Sequence, residues 1–285
     1  MEYTISKDKI TIFDKSQFDP KHILECGQIF RFKKTDGGDY VVFSGEKCCK
    51  IISKPNCFEV LTQYPDYFAQ FFDLQTDYNA IKHSLSKQNQ TLKDATNFGG
   101  GIRILNQQPL ETIFSFIISA NNNIKRIQML VEKLCAKCGT NKGDFFSFPT
   151  LEQILTLSVE DLRVLGMGFR AKYIFETAHK LQKIDMDKLS ALPTPELLQL
   201  LQTLSGVGPK VADCIALFGY HKMDCFPVDT WVQKIYNIYF SNGKVLTNRA
   251  KIRSNLIAMF GPLSGYAQQY LFYFKREIDR AKPHK

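Results

Sequence analysis

A lysine and an aspartate that lie nineteen positions apart are the residues of this chain best suited to covalent chemistry. Lys210 follows the turn Gly206-Val207-Gly208 and a proline, and Asp229 follows Pro227-Val228. A lysine in the first turn of a helix feels the positive end of the helix dipole, which disfavours its ammonium form and makes a nucleophilic amine accessible. A Gly-x-Gly turn also presents backbone N–H groups that suit a phosphate. The segment therefore predicts a phosphate contact and an amine nucleophile side by side.

The neighbouring residues indicate how the chain would hold this pair. Pro209 fits the first position of a helix, which then places Lys210 and Cys214, four residues apart, on one face. Asp229 precedes Thr230-Trp231-Val232 as a natural N-cap, and a carboxylate held by backbone N–H groups stays ionised at neutral pH. Near Lys210, that carboxylate would stabilise positive charge on a sugar or help to move a proton.

Each of these features also has a purely structural interpretation. Gly-x-Gly hairpins join helices in proteins that only bind DNA, and an aspartate at an N-cap is more often structural than catalytic. The hairpin, the lysine and the Pro-Val-Asp segment at this separation are a more specific combination, and together they favour chemistry.

The elements that must position these residues change character near residue 100. Residues 1–100 predict an antiparallel β-sheet domain with short helices, because alternating or β-rich runs occur at 3–6, 9–13, 39–43 and 50–52. One of the short helices should start at Asp19-Pro20 and close at Gly27.

Residues 101–285 follow the helical period and predict a mostly α-helical, two-lobed body. Thr150 and Ser158 are typical N-caps, the second with Asp161 three residues on. Further helices are predicted at 171–180, 195–203, 249–260 and 266–280. The sequence thus predicts an α+β fold, with a helix-hairpin-helix at about 196–219.

Composition and charge limit the class of protein. The chain has 285 residues, 44% of them hydrophobic, which is ample for a packed core. Its net charge of +9 favours a polyanionic partner, although mild basicity is also common without one. No apolar run reaches the ~18–20 residues that span a bilayer, and no signal-peptide pattern is present. The expected location is intracellular: the cytoplasm or nucleoid of a bacterium, or the nucleus of a eukaryote.

The cysteines do not predict a disulfide framework or a metal centre. Eight of them are scattered through the chain, a distribution that favours reduced thiols. Cys135-Ala-Lys-Cys138 is the single Cys-x-x-Cys pair, and one pair without nearby histidines is weak evidence for zinc. We therefore expect two free thiols near the end of an amphipathic helix, and no metal or cofactor.

The hairpin segment resembles the helix-hairpin-helix superfamily of DNA base-excision glycosylases, in which a lysine after the hairpin attacks the deoxyribose. Endonuclease III-like relatives hold an iron–sulfur cluster with four C-terminal cysteines, whereas this chain has no cysteine after Cys225. Segments at 26–32, 106–124, 165–173 and 265–272 are similar to 8-oxoguanine DNA glycosylases of the eukaryotic type. The resemblance runs from about residue 18 to residue 276.

The resemblance implies a bifunctional glycosylase and β-lyase that excises 8-oxoguanine, preferably opposite cytosine, from double-stranded DNA as a monomer. Lys210 would be the Schiff-base nucleophile and Asp229 its acidic partner. The remaining cavity residues would recognise the base: the Gly27 carbonyl would accept the N7–H that guanine lacks, Gln268 would bind the pairing edge, and Phe272 and Cys214 would sandwich the ring.

The resemblance also implies a set of DNA contacts. Asn121, Arg126 and Arg170 would contact the cytosine left unpaired, Phe169 would wedge into the gap, and Gly206 and Gly208 would face the backbone. Two positions depart from better-known relatives: Phe169 stands where many have tyrosine, and Trp231 stands where they have histidine near the DNA backbone. Trp231 would either donate its indole N–H to DNA or pack.

These residues also have purely structural interpretations. Residues 121–123 would suit a plain turn with capping side chains, and Arg126 and Arg170 would suit a solvated surface. Two other functions compete as well, a glycosylase for oxidised pyrimidines and a non-catalytic DNA-binding protein. The missing cysteine cluster argues against the first, and Lys210 argues against the second.

Overall fold

A six-stranded antiparallel sheet forms the N-terminal part of the protein. The computed structural model describes residues 1–241 and 243–281. In chain order the strands are β1 Tyr3–Ser6, β2 Lys9–Ile12, β3 Phe32–Lys34, β4 Tyr40–Ser44, β5 Lys47–Ser53 and β6 Phe58–Leu61, and their order across the sheet is β1-β2-β6-β5-β4-β3. The alternation predicted at the second run is present, since Ile10 and Ile12 point into the core while Lys9 and Thr11 are half-buried.

Helices make up most of the remaining chain. They are α1 Pro20–Leu24, α2 Pro65–Phe71, α3 Tyr78–Ser86, α4 Gln90–Phe98, α5 Pro109–Ser119, α6 Ile124–Cys138, α7 Leu151–Leu155, α8 Val159–Val164, α9 Arg170–Leu181, α10 Met186–Leu189, α11 Thr194–Leu201, α12 Pro209–Gly219, α13 Thr230–Tyr239, α14 Arg249–Phe260 and α15 Ser264–Ala281. Among the described residues, no helix is both long enough and apolar enough to cross a bilayer.

Local capping chemistry explains where several helices start. The side chains of Thr150 and Ser158 accept backbone N–H groups as predicted, and each forms a full capping box with the residue three positions on. Asp19 caps α1 with its side chain alone, which accepts the backbone N–H groups of Lys21 and His22. The predicted end of α1 is wrong: the helix stops at Leu24 because Glu25 takes the C-cap position, and Gly27 lies two residues beyond it.

Two hydrophobic cores underlie the α+β fold, which is confirmed. The sheet packs on α1 and α2 around side chains such as Val42, Val60 and Phe68. The helical body has its own core, and α3 and α4 contribute Tyr78 and Leu92 to it. The domain boundary near residue 100 stays a prediction. One cavity is lined by residues from both parts of the chain.

Candidate active site

The predicted helix-hairpin-helix consists of α11, a short turn and α12. Gly206 has φ +79°, and a Cβ atom there would lie 2.7 Å from the Tyr173 ring, so glycine is required on both counts. Val207 is buried and fixes the turn to the body. Gly208 is the N-cap of α12 with ordinary extended backbone, and Pro209 occupies the first helical position.

A small cavity of about 40 Å³ lies behind this hairpin. All six residues predicted for catalysis and base recognition line it: Gly27, Lys210, Cys214, Asp229, Gln268 and Phe272. They come from the segment after α1, from α12, from the N-cap of α13 and from α15. The sequence separates these residues by more than 240 positions, so the fold has to create the site by long-range packing.

The amine of Lys210 lies among an aromatic ring, a thiol and a carboxylate. Its Nζ is 5.6 Å from the centre of the Phe116 ring, and Cys214 and Asp229 are the neighbours that act on its charge. Burial is the largest single influence and lowers the pKa of Lys210, but Cys214 and Asp229 together raise that pKa above its ordinary value. The predicted lowering of this pKa is therefore wrong.

The state of Cys214 decides which partner matters near neutral pH. Burial raises the pKa of the Cys214 thiol to about 11, so the sulfur is uncharged under these conditions. Asp229 is then the charged neighbour that favours the Lys210 ammonium. A neutral amine requires the loss of this proton, and the same carboxylate is the nearby group that can accept it.

Asp229 is fixed by the helix that it caps. Its Oδ1 accepts the backbone N–H of Val232 at 2.9 Å, as the sequence predicts for an N-cap. This bond uses one carboxylate oxygen, while the side chain as a whole still lines the cavity beside Lys210. The start of α13 thus fixes the position of the Asp229 carboxylate through Oδ1 and leaves the side chain beside Lys210.

The base-recognition residues occupy two walls of the cavity. Gly27 has φ +92°, which a residue with a side chain would adopt only with strain. Gln268 is 6% exposed, and its Oε1 has no hydrogen-bond partner among the described residues. A buried acceptor without a partner is costly, so this oxygen suits a ligand N–H. Phe272 is half-buried and lies one helical turn further along α15.

Sequence reasoning missed five further lining residues: Cys26, Phe116, Phe218, Pro227 and Gln269. Phe116 and Phe218 stack with ring centres 5.6 Å apart and form an apolar wall beside the amine. Spacing could have revealed Phe218, because it lies one turn after Cys214 on the same face of α12. Nothing local identifies Phe116, which α5 brings in from a distant part of the chain.

A second cluster gathers the residues predicted to meet the opposite strand. Phe169 is 55% exposed, which is unusual for a large apolar ring, and the Arg170 guanidinium lies 4.4 Å from its centre. Arg170 donates to the backbone carbonyls of Ala120 and Asn121, so it shapes the turn before α6. Burial and then the charge of Arg126 lower the pKa of Arg170, which places the two cations near each other.

In the turn of three asparagines at 121–123, two side chains bond the neighbouring helices and the third is exposed. Asn123 caps α6 by accepting the N–H of Arg126, and Asn122 donates to the Ile118 carbonyl. Asn121 is exposed with φ +51°, a conformation that asparagine tolerates better than most residues. The capping interpretation therefore describes Asn122 and Asn123, while the side chain of Asn121 is exposed and its DNA contact stays a prediction.

Trp231 lies outside the small cavity. It is half-buried in the first turn of α13, and the amine of Lys234 lies 5.0 Å from its ring centre. This cation–π contact joins the indole to a lysine one turn further along the same helix. Its role toward DNA stays a prediction.

A larger cavity of about 390 Å³ lies on the other side of Lys210. It is bounded by α11, α12 and α14, and its charged lining residues are Lys210, Asp213, Arg249 and Arg253. Arg253 is already engaged, because its guanidinium forms a bidentate pair with buried Asp213 at 2.6 and 2.8 Å. Lys210 thus lines both a small cavity and a larger one that two arginines also line.

The Cys-x-x-Cys pair lies in the last turn of α6. Cys135 is buried, Cys138 is half-buried, and both are free thiols. Burial raises the pKa of Cys138 to about 11, so it is an inert thiol near neutral pH. Among the described residues, no group of three or more histidine, cysteine or acidic side chains is arranged to hold a metal ion.

Comparison with known proteins identifies relatives along the whole chain. A profile described as the N-terminal domain of 8-oxoguanine DNA glycosylase matches residues 10–113, and one for the HhH-GPD superfamily of base excision DNA repair proteins matches residues 114–257. The N-glycosylase/DNA lyase OGG1 of Arabidopsis thaliana is 31% identical over 271 residues, which cover 86% of this chain and 74% of the relative.

Solved structures agree with these matches. An 8-oxoguanine glycosylase/lyase of Clostridium acetobutylicum, in complex with double-stranded DNA containing cytosine opposite 8-oxoG, is 35% identical with a TM-score of 0.90. The match covers 98% of this chain and 99% of that one. The sequence matches in both halves of the chain and the structural match therefore lead to one assignment: the protein belongs to the 8-oxoguanine DNA glycosylases of the HhH-GPD base excision repair superfamily.

Proposed function

We propose that the protein excises 8-oxoguanine from double-stranded DNA, preferably opposite cytosine, and then cuts the abasic strand by β-elimination. Lys210 is the nucleophile of both steps. The observation that carries this proposal is the gathering of Lys210, Asp229, Gly27, Gln268 and Phe272 around one cavity. These residues come from one chain, which supports action as a monomer.

The chemistry starts with the loss of the Lys210 proton, for which Asp229 is the acceptor. The amine then attacks C1′ of the damaged nucleotide, and the C1′–N9 bond breaks as the nitrogen–carbon bond forms. Ring opening of the sugar gives an imine, which acidifies the neighbouring C2′–H. Removal of that proton expels the 3′ phosphate by cleavage of the C3′–O bond, so one amine supports both activities.

Base recognition follows from the polar groups of the cavity. The Gly27 carbonyl accepts N7–H of 8-oxoguanine, whereas guanine would present a lone pair to it and leave a buried acceptor unpaired. The unpartnered Oε1 of Gln268 accepts from the pairing edge of the base. Phe272 and Cys214 cover the two faces of the ring.

The size of the cavity implies movement when the base enters. About 40 Å³ accommodates a few water molecules but not a purine. Phe272 is half-buried, and its rotation opens the space between Gly27 and Gln268. Flipping costs a few kcal/mol, which the stacking and edge contacts offset.

Contacts to the opposite strand come from the second cluster. The exposed Phe169 ring fills the space that the flipped base leaves, and its lost contact with water favours insertion. Arg126 and Asn121 are exposed beside it and read the unpaired cytosine. Arg170 holds the turn that carries Asn121, and its remaining N–H groups complete the contact.

Borohydride trapping tests the reaction directly. Wild-type protein incubated with an 8-oxoguanine:cytosine duplex should form a covalent protein–DNA adduct, and Lys210→Gln should form none. Lys188→Gln, which removes an exposed lysine on α10, is the matched control and should trap normally. Absence of an adduct with wild type, or equal trapping by Lys210→Gln, contradicts the mechanism. Trapping on an oxidised pyrimidine but not on 8-oxoguanine supports the competing substrate class.

A further inference from the structure

Arg276 is a buried cation beside the base cavity for which the proposed reaction has no role. It lies on α15 one turn after Phe272 and is only 5% exposed. Its guanidinium carbon is 5.6 Å from the centre of the Phe272 ring. Because burying a charged group is costly, a guanidinium here needs a compensating function or partner.

Two of its three nitrogens have partners that tie the walls of the cavity together. Nε donates to the Glu277 carboxylate at 3.0 Å, and Nη2 donates to the backbone carbonyl of Glu25. Gln269, on the same helix, donates to the carbonyl of Cys26 at 3.3 Å. Helix α15 therefore anchors the segment that ends in Gly27.

The third nitrogen, Nη1, has no hydrogen-bond partner among the described residues and is shielded from solvent. It lies on the side of Gly27 where a side chain would start: a Cβ atom at that position would be 3.3 Å from Nη1 and 3.6 Å from the edge of the Phe272 ring. Gly27 and Phe272 both line the base cavity. A rotation of Phe272 that admits a base would uncover Nη1.

The chemistry of the base fits a donor at this place. In 8-oxoguanine the N7–H lies between two carbonyl oxygens, at C6 and at C8. If N7–H donates to the Gly27 carbonyl, a neighbouring oxygen comes next to that backbone and requires a donor. A charged guanidinium donor makes a stronger bond there than a neutral group does.

We propose that Arg276 is a specificity-determining residue of the base cavity, and this proposal rests on the proposed function. Its Nη1 donates to a carbonyl oxygen of the flipped base. Gly27 and Arg276 then form an acceptor–donor pair that reads two adjacent atoms. The Nη2 bond to Glu25 keeps this pair at a fixed spacing.

The test compares two activities of the same variants. Single-turnover excision on an 8-oxoguanine:cytosine duplex requires the filled cavity, whereas cleavage of a preformed abasic site requires Lys210 but no base. Arg276→Met should lose about tenfold or more of the excision rate, since it leaves a base oxygen without its donor. Abasic-site cleavage should stay within about twofold of wild type.

Two further variants keep the result interpretable. Arg280→Met removes a cation that pairs with the same Glu277 one turn away, where the side chain is exposed, and should keep both rates. Arg276→Lys retains the charge but not the fork of donors, and should lose excision to a smaller extent than Arg276→Met. Abasic cleavage also reports whether each variant folds.

The substrate 8-oxoadenine separates the two oxygens, because it keeps the C8 oxygen and N7–H but has an amino group at C6. If Nη1 binds the C6 oxygen, Arg276→Met reduces excision of 8-oxoguanine only; if it binds the C8 oxygen, both substrates lose equally. Arg276→Met excision within twofold of wild type overturns the proposal, and so does a parallel loss of excision and abasic cleavage. A wild-type protein that cuts abasic sites but spares 8-oxoguanine overturns the proposed function instead.

Discussion

Asp229 combines two roles at the level of a single residue, and these roles can be separated. Its Oδ1 caps α13 through the Val232 N–H, and its charge raises the pKa of Lys210. Asparagine caps helices about as well as aspartate but carries no charge. A change to asparagine therefore removes the electrostatic role while the helix start is kept.

We expect Asp229→Asn to lower the single-turnover excision rate by about 100-fold or more, the usual contribution of a positioned proton acceptor. Its free energy of unfolding in urea should change by less than about 0.5 kcal/mol, whereas Asp229→Ala should lose about 1 kcal/mol as well as activity. Excision by Asp229→Asn at the wild-type rate would mean that the carboxylate is only a cap.

The same variant has a pH signature whose sign follows from the structure. Asp229 favours the ammonium and raises the pKa of Lys210, so its removal lowers that pKa and leaves more neutral amine at a given pH. The residual imine formation of Asp229→Asn on an abasic site should therefore reach half its maximum at a lower pH than in wild type. A shift to higher pH would show that Asp229 does not act on the amine.

At the level of elements, the hairpin contains two glycines with different requirements. Gly206 combines φ +79° with a close approach to the Tyr173 ring, whereas Gly208 has φ −85° and open space where a side chain would project. The first glycine is required by folding. Folding does not require the second glycine, so a requirement for it would come from a ligand such as a DNA phosphate that approaches this turn.

Alanine substitutions should separate these requirements. Gly206→Ala should reduce the free energy of unfolding by about 1–3 kcal/mol, because it combines a left-handed backbone with a clash. Gly208→Ala should unfold like wild type but bind duplex DNA about tenfold more weakly, since a methyl group would keep a phosphate from the backbone N–H groups. Urea unfolding and a binding titration measure the two effects. Equal DNA affinity in wild type and Gly208→Ala would argue against a phosphate at this turn.

The elements also show what the sequence can predict. Caps such as Thr150 and Ser158, and the face shared by Lys210 and Cys214, follow from local spacing, and the structure has them as expected. Phe116 and Arg276 carry no local signal, because their importance comes from contacts with chain segments about 100 to 250 positions away. The predicted pKa direction for Lys210 was wrong because that prediction considered only the helix dipole; Cys214, one turn along α12, and Asp229, which folding brings in from the start of α13, raise that pKa.

At the scale of the whole molecule, one buried cation joins the sheet to the helices. Arg31 precedes β3 and is 1% exposed; it binds the Glu132 carboxylate at 2.9 Å and the Phe146 carbonyl at 2.7 Å. Glu111 on α5 accepts the backbone N–H of Gly45 at 2.7 Å next to it. These contacts fix the sheet against the helical body, so the sheet-side residue Gly27 keeps its distance from the helix-side residues of the cavity.

The distribution of charge suits a polyanion on the side of the hairpin. Many acidic groups of the sheet part are taken up in ion pairs, as in Lys9–Glu59 and Lys50–Asp39. Arg249, at the wide cavity beside Lys210, bonds the neutral Gln233 side chain instead. Within a chain of net charge +9, Arg249 therefore contributes a cation beside Lys210, where the proposed DNA strand passes.

Salt dependence measures how much of this charge acts on DNA. For an undamaged duplex, a plot of log affinity against log salt should fall with a slope of about −3 to −5, which corresponds to roughly four or five neutralised phosphates. Undamaged DNA is the right ligand because base recognition contributes nothing to it, so the slope reports backbone contacts alone. The free energy of unfolding measured over the same salt range is the control, since loss of folded protein would imitate weaker binding. A flat response with a folded protein would show that the positive charge does not contribute to DNA binding, and recognition would then have to begin with the wedge and the cavity.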